Sequence, residues 1–487
     1  MSELFVLNNG QVITDERQSR RMFSIAALQP EAAYREDEQN NYTWDDMGTG
    51  LVFSQIYAEE IVFCVEQRTW YVYDWDSGMW KADLGDCRIH ALCKEFVQLL
   101  TLYATQVIKE SDTAKAYAKY VVGLGKRPAR ERIIKDASSD HIISVVDFDS
   151  DPRYIGCKNG VYDIETGEIL PHSPTYKLTL SADCVLRDGV DDEMAVWSRF
   201  VNEVAGDSAE YLQKALGYAL SGNPCEECMF LLWGRTSRNG KSTLLNSVLG
   251  VLGDYASSVP TGIITSRSTA LRDTESASPM LAALQGKRFI TMSETRQGVS
   301  LQSEVLKALT GGEKIPARSL YSDPVYFRLA GSFWMSCNHL PKVEDKTLFM
   351  SNRLRVIPFE KHFDEKTQDR TLKTKFLSPE YKSAIFRWLC EGYKMYCEEG
   401  IDDYSPSMSR ALQDYMTMST PFVQFMSEQH QGTWIRGTLL HKQYMQYEST
   451  CPTNLRDFYR LVEESGYKVG LRHNAKHIYT TRINQHE

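Results

Sequence analysis

Apolar positions along the chain switch repeatedly between helical and strand spacing, and that alternation sets the expected architecture. Residues 1–45 keep neither period. They are acidic and rich in Asn and Gln around "EDEQNNYTWDD", and read as a partly mobile lead-in rather than a domain. From 46 to 205 the pattern is mixed, as in an α+β domain. "AEEIVFCVEQ" and "ALCKEFVQLLTLYATQVI" repeat at helical spacing. "TWYVYDWDSGMW" alternates around an Asp-Ser-Gly turn, and "CKNGVYDIETGEILPH" carries turns at Asn159-Gly160 and Thr166-Gly167, so both predict hairpins.

From 206 to 365 strand and helix signals alternate. The helix "LQKALGYALS" leads to an apolar run at 229–233, a helix after 241, an apolar run at 288–292, a helix over 301–310 and an apolar run at 333–337. That order predicts an α/β module on a mostly parallel central sheet. A helical connector is expected over 366–414. Residues 415–487 show three helical patterns followed by two alternating segments around His473-Asn474-Ala475, the order of a winged helix.

The chemistry concentrates where the first apolar run ends, in "LLWGRTSRNGKSTLLNSVLG". In a phosphate-binding loop, backbone N–H groups and a helix N-terminus converge on the phosphates while one Lys adds a point charge and one Ser or Thr holds Mg²⁺. Lys241 and Ser242 fill those posts, and Arg238, Asn239, Gly240, Lys241, Ser242 and Thr243 form the expected ATP-binding loop. Gly234 stands six residues before Gly240 where the strict template has five. The loop is therefore one residue longer, or its first turn is made differently. "KRFITMSE" ends in Glu294, placed to polarise an attacking water and, with Ser242, to hold the metal. "FWMSCNHLP" delivers Asn338 to the carboxyl edge of the sheet.

Composition is that of a folded chain too long for one core. No run approaches the length of a membrane span, the N-terminus has no secretory pattern, and eleven cysteines spread thinly do not form a disulfide framework. A cytoplasmic compartment is expected. Cys225 and Cys228 form a CxxC without a second ligand pair, and read as thiols at a turn. The net charge of −9 argues against nucleic acid, but residues 1–60 alone carry −7, leaving −2 for the rest. Residues 307–330 carry +2 and 431–487 carry +3.

In order, "RNGKST", "GKRFITMSE", "LKALTGGEKIPAR", "NHLP" and "RLRVIPF" resemble the superfamily 3 helicases, specifically the primase-helicase family of phages, satellite phages, plasmids and poxvirus-like viruses; "CKNGVYDIETGE" and "LGYALSG" resemble that family's upstream domain. The resemblance implies an AAA+ ATPase forming a ring, usually a hexamer, with ATP and Mg²⁺ at subunit boundaries and single-stranded DNA in the pore. It implies Lys241 and Ser242 as the Walker A pair, Glu294 as the Walker B acid, Asn338 as sensor and Arg353 as arginine finger, with Arg355 a second candidate. Ser293 and Asn352 depart from the family pattern, standing where a second acid and a companion arginine are common. The segment "EKIPARSLYSDPVYF" reads as a hairpin, and the resemblance points it into the pore, with Lys314, Arg318 and Tyr321 on DNA. Arg472 and Lys476 would meet duplex or origin DNA from the wing.

Asp147 and Asp149 could pass for a metal-binding pair, but an Asn-Gly hairpin follows within about a dozen residues and they read as turn-forming. The resemblance places a priming domain upstream of the region that begins near residue 45, so priming is not expected of this chain, although a separate primase could attach. The leading expectation is an ATP-dependent helicase for phage or mobile-element replication in a bacterial cytoplasm. The alternatives are an initiator or loader that binds DNA without unwinding it, a component that primes only with a partner, and a P-loop kinase or GTP switch.

Overall fold

The computed structural model describes residues 4–32, 42–109, 111–223, 225–265, 279–292, 299–317, 325–343, 345, 347–418, 421–429, 432–447, 454–465, 467–472 and 475–482. The upstream part opens with α1 (Glu16–Leu28) and α2 (Asp46–Ile56), capped by the Asp15 and Asp45 carboxylates. Strands β1 (Ile61–Cys64), β2 (Thr69–Asp74), β3 (Met79–Ala82) and β4 (Ile142–Ile143) form a sheet in the order β3-β2-β1-β4. Helices α3 (Cys87–Gln106), α4 (Asp112–Leu124) and α5 (Arg127–Ala137) lie between β3 and β4. A second sheet is the antiparallel meander β5 (Tyr154–Cys157), β6 (Gly160–Asp163) and β7 (Ile169–Leu170), turning at both expected places.

Two expectations are corrected here. "AEEIVFCVEQ" is not helical: Ile61–Cys64 is β1, laddered to β2 with Ile61 opposite Val72. A four-residue apolar run fits either period, and Ile, Val and Phe beside an available strand decide for the sheet. The lead-in is in part folded. Phe5, Leu7 and, on α1, Met22 and Ile25 are buried in the core that also holds Phe96 and Leu100 of α3. Arg21 of α1 is buried over the Tyr57 ring and bonds Glu60 at 2.6 Å and Glu95 at 2.7 Å. Most of the acidic run that carried the expectation, residues 33–41, lies outside the described residues.

Helices α6 (Asp191–Ala205) and α7 (Ala209–Tyr218) lead into a five-stranded sheet. Its strands are β8 (Met229–Trp233), β9 (Ala256–Val259), β10 (Phe289–Met292), β13 (Ser332–Cys337) and β14 (Leu354–Pro358), in the order β14-β8-β13-β10-β9 with every pairing parallel. Helices α8 (Lys241–Leu252), α9 (Pro279–Ala282), α10 (Ser303–Thr310) and α11 (Thr347–Met350) lie between strands in the chain, and the antiparallel pair β11 (Lys314–Ala317) and β12 (Val325–Arg328) stands apart from the sheet. A parallel sheet is covered on both faces, which is why β8, β10 and β13 read as continuous apolar runs. Phe230 of β8 stacks on Trp334 of β13 at 4.2 Å.

After the sheet come α12 (Leu372–Lys375), α13 (Pro379–Glu399) and α14 (Pro406–Met418). Helix α13 crosses α7 at two glycines, so closely that a Cβ on Gly392 would lie 2.2 Å from the Gln213 carbonyl oxygen and one on Gly217 would lie 2.1 Å from the Tyr393 nitrogen. One apolar cluster runs from Ile155 and Trp197 through α7, β8 and α8 to Phe386 of α13. The boundaries expected at 205/206 and 365/366 therefore fall inside a shared core. Arg288, fully buried at the start of β10, ties the sheet to the upstream part by donating to the carbonyls of Pro152 and Leu220 at 2.9 and 2.5 Å and of Tyr154 at 2.9 Å.

The chain ends with α15 (Pro421–Ser427), β15 (Trp434–Arg436), α16 (Gly437–Tyr447), α17 (Leu455–Glu464), β16 (Tyr467–Arg472) and β17 (Ala475–Arg482). The strands pair antiparallel in the order β15-β17-β16 over a separate core of Phe422, Met426, Leu440, Phe458 and Ile478. Among the described residues no helix is long and apolar enough to cross a membrane.

The glycine crossing gives a direct test of this packing. Gly392→Ala is expected to lower stability by about 1 to 3 kcal/mol through overpacking. Gly123→Ala, on α4 where an added Cβ meets nothing within 4 Å, should be neutral or stabilising. Urea unfolding of the two variants against the parent measures both.

Candidate functional site

All five strands of the parallel sheet end on one edge, and the loop after β8 and the first turn of α8 meet there. Lys241, the first residue of α8, is buried beneath the loop, and its ammonium donates to the Gly234 carbonyl at 3.2 Å and to Asn338 Oδ1 at 2.9 Å. The structure thus brings together two residues 97 positions apart. A lysine buried this way loses water on all sides and needs oxygen partners at fixed positions.

The loop is held from its far side by the residues that follow β14. Phe359 N donates to Trp233 O at 2.6 Å and Phe363 N to Arg238 O at 2.9 Å, and the Asn239 side-chain amide reaches Thr236 O at 2.7 Å and Phe359 O at 3.4 Å. Arg238 and Gly240 take positive φ, +57° and +86°. The extra residue relative to the strict template is absorbed by this clamped turn. Gly234 has no room for a side chain: a Cβ there would lie 2.6 Å from Phe359 O and 3.1 Å from Lys241 Nζ. Gly240 faces a similar limit from Val204 at 2.5 Å.

In front of the loop is a cavity of about 490 Å³, walled by residues 238–243, by Phe200 and Glu203 of α6, and by the segment from Phe363 to Lys373. Ser242 is exposed and Thr243 half-buried on the first turn of α8. Two cations absent from the expected site, Arg370 and Lys373, line the opposite wall. Their signal was the basic stretch "KHFDEKTQDRTLKTK" directly after β14. Glu294 lies outside the described residues, two positions past the end of β10. Ser242 is the metal-ligand candidate whose position is described, and a hydroxyl at a helix N-terminus suits the oxygen preference of Mg²⁺.

Arg353 sits at the opposite edge of the sheet. Its carbonyl accepts from Met229 N at the start of β8, roughly 16 Å along the strand from the loop. Its guanidinium bonds Thr310 Oγ1 at 2.7 Å and pairs with Glu227. Arg355 is different in kind. Only 3% exposed, it donates to the Ile401 carbonyl at 2.8 Å, pairs with Asp402 at 3.0 Å and Glu226 at 3.5 Å, and packs over Tyr404. It is committed to its own chain and is not placed to reach a neighbour.

The hairpin expected over 313–327 is present as β11 and β12, with Arg318 and Tyr321 between the strands and outside the described residues. Lys314 and Arg328 stand opposite each other across its base, both exposed. Like charges facing across a ladder are unfavourable until an anion joins them. Arg472 and Lys476 flank the tip of β16 and β17 and lie over the rings of Trp434 and Tyr459, at 4.3 and 4.9 Å. The Asp147 carboxylate accepts from Ser144 N in a local turn, whereas Asp149, in a left-handed backbone position, accepts from Thr179 N at 2.9 Å and Leu180 N at 3.3 Å and so ties two distant segments together rather than forming a turn. Cys225 contacts the Tyr396 hydroxyl and Cys228 is buried. Among the described residues no group of His, Cys, Asp and Glu is arranged to hold a metal.

Comparison with known proteins gives two matching family models, one described as D5 N terminal like over residues 50–206 and one described as a family of unknown function over 232–355. A protein of Acanthamoeba polyphaga mimivirus named as a helicase is 27% identical over 275 residues, covering 52% of this chain and 28% of the viral protein. Primase D5 of Fowlpox virus is 22% identical over 268 residues, covering 52% and 33%. The matched stretch spans a third or less of those relatives. The solved apo A form of the NrS-1 C terminal region aligns with 89% of this chain and 98% of its own at 9% identity, with a TM-score of 0.43.

Removing each of the two arginines separates their roles. Arg355→Ala should cost about 2 to 3 kcal/mol, since it leaves the buried Ile401 carbonyl without its donor and removes the packing over Tyr404. Arg353→Ala should cost about 1 kcal/mol. Chemical denaturation followed by circular dichroism reads the difference.

Proposed function

We propose an ATP-driven, DNA-translocating role in replication for this chain, which belongs to a viral primase-helicase-like family. The observation that carries the reading is the Lys241 ammonium poised between Gly234 O and Asn338 Oδ1 at the carboxyl edge of a parallel sheet, under a loop whose glycines admit no side chain. A triphosphate entering the cavity would take the backbone N–H groups of the loop and the N-terminus of α8, and draw Lys241 toward its terminal phosphates. Arg370 and Lys373 would face it from the far wall, with Phe200 and Phe363 offering apolar surface to the base. Asn338 would orient the attacking water or the γ-phosphate, and Glu294 would accept the water's proton. Ser242 and Glu294 would hold Mg²⁺, which when bound neutralises charge developing on the phosphate oxygens.

Arg353 stands too far from the loop of its own chain to serve it, so the finger role requires a second copy whose loop it meets. That geometry favours the AAA+ ring of the superfamily 3 type, with the β11–β12 hairpin and its facing Lys314 and Arg328 toward single-stranded DNA, joined there by Arg318 and Tyr321 of the segment between the two strands. The C-terminal helices and three-stranded sheet have the element order of a winged helix, and Arg472 and Lys476 would meet duplex there. The loader reading keeps the same nucleotide site and differs only in unwinding.

ATP turnover by Lys241→Ala should fall by about 10²-fold or more, and turnover should rise with single-stranded DNA in the parent alone. Mixing Lys241→Ala with Arg353→Ala, each inactive by itself, should restore partial activity through mixed seams. Wholly inactive mixtures at every ratio contradict the shared site, and a forked-duplex assay separates motor from loader.

A further inference from the structure

The upstream part of the chain is acidic, yet its charge is not evenly spread. Residues 112–137, which span α4 and α5, hold seven Lys and Arg against the three acids Asp112, Glu131 and Asp136, while the remainder of 46–205 holds ten against twenty-three. A net +4 on one helix pair, against −13 on the rest of 46–205, is strong segregation. Lys115, Lys119, Lys126, Arg127, Arg132 and Lys135 are exposed. Arg127 pairs with Glu131 at 2.8 Å and Arg132 with Asp46 at 2.6 Å, both at exposed positions, whereas Lys119, Lys126 and Lys135 have no ion-pair partner among the described residues.

Two of these cations sit against the dipole of the helix that carries them. Lys126 is the N-cap of α5 and Arg127 its first residue, at the end where the helix dipole disfavours positive charge, and the first turn contains no acid. Beside them opens a cleft of about 480 Å³ whose walls include Trp44, Tyr120, Lys126, Pro128 and Arg132. The Trp44 and Tyr120 rings are nearly parallel, 19° apart at 5.9 Å. The cleft also contains two acids, and both are engaged: Asp46 with Arg132, and Asp45 with Gly48 N and Thr43 Oγ1. Anions are thereby steered to the helix face and planar groups to the cleft.

We propose that the α4–α5 face with the Trp44/Tyr120 cleft is a second binding surface for single-stranded nucleic acid, distinct from the β11–β12 hairpin. Lys119, Lys126 and Lys135 hold backbone phosphates and the aromatic pair offers a stacking platform, a combination that reads no sequence. The inference rests on the reading that this chain works on DNA, and not on its ATP chemistry.

The test is fluorescence anisotropy of labelled oligothymidine with the full chain across a salt series, comparing the parent with the triple variant Lys119→Gln, Lys126→Gln, Lys135→Gln. Affinity should fall at least about tenfold, and the slope of log affinity against log salt should become shallower by about 2, near 0.7 for each lost phosphate contact. DNA-independent ATP turnover and assembly by sedimentation should stay at parent values. Unchanged affinity and slope overturn the proposal. So does loss of assembly with intact DNA binding, which would assign the face to a second copy of the chain. If no variant hydrolysed ATP yet the triple variant lost oligothymidine, the motor would fall and this surface would stand.

Discussion

Everything at the active edge of the sheet depends on one constraint, a lysine ammonium kept out of water and held by oxygens at fixed positions. Lys241 reaches the Gly234 carbonyl behind it and the Asn338 amide across from it, so the loop, β8 and β13 keep one relation to each other. The consequence propagates outward. Gly234 and Gly240 stay glycine because their surroundings leave no volume, and the residues after β14 run along the loop because Trp233 and Arg238 offer them carbonyls. A loop fixed on both flanks presents its N–H groups to a ligand without a further ordering cost.

The two ends of the sheet then have different tasks. The carboxyl end opens onto the cavity beside residues 238–243, while at the amino end Arg288 is tied to the Leu220 and Tyr154 carbonyls and Arg355 is buried beside Glu226 and Tyr404. Arg353, at that end, is held by the exposed Glu227 and the buried Thr310. Arg353 and Arg355 are separated by a single residue and so share the parity of one strand face; their surroundings divide them, Arg353 standing just before β14 beside the exposed Glu227 and Arg355 lying buried within β14.

Much of this was legible in the sequence because the relevant signals are local. Continuous apolar runs marked β8, β10 and β13, Gly-Lys-Ser-Thr after the first of them marked the loop, and Asn159-Gly160 marked a hairpin turn. What could not be read depends on contacts distant in sequence. β1 appeared helical until β2 was available to pair with it, and α1 was hidden because its burial depends on α3 and on Glu60 and Glu95 pairing with Arg21. Arg370 and Lys373 join the site only because the segment after β14 folds back along the loop. The shared core across 365/366 draws on Gly217 and Gly392, whose significance lies in the crossing of two helices and not in either helix alone.

The most direct measurement is an image of the assembled particle with a non-hydrolysable ATP analogue and Mg²⁺. The account predicts triphosphate density in the loop of residues 234–243, Lys241 drawn from the Gly234 carbonyl onto phosphate, and the Arg353 guanidinium of an adjacent copy at the same nucleotide. Nucleotide bound elsewhere, or bound in the loop of a solitary chain with Arg353 still on Glu227, would contradict it.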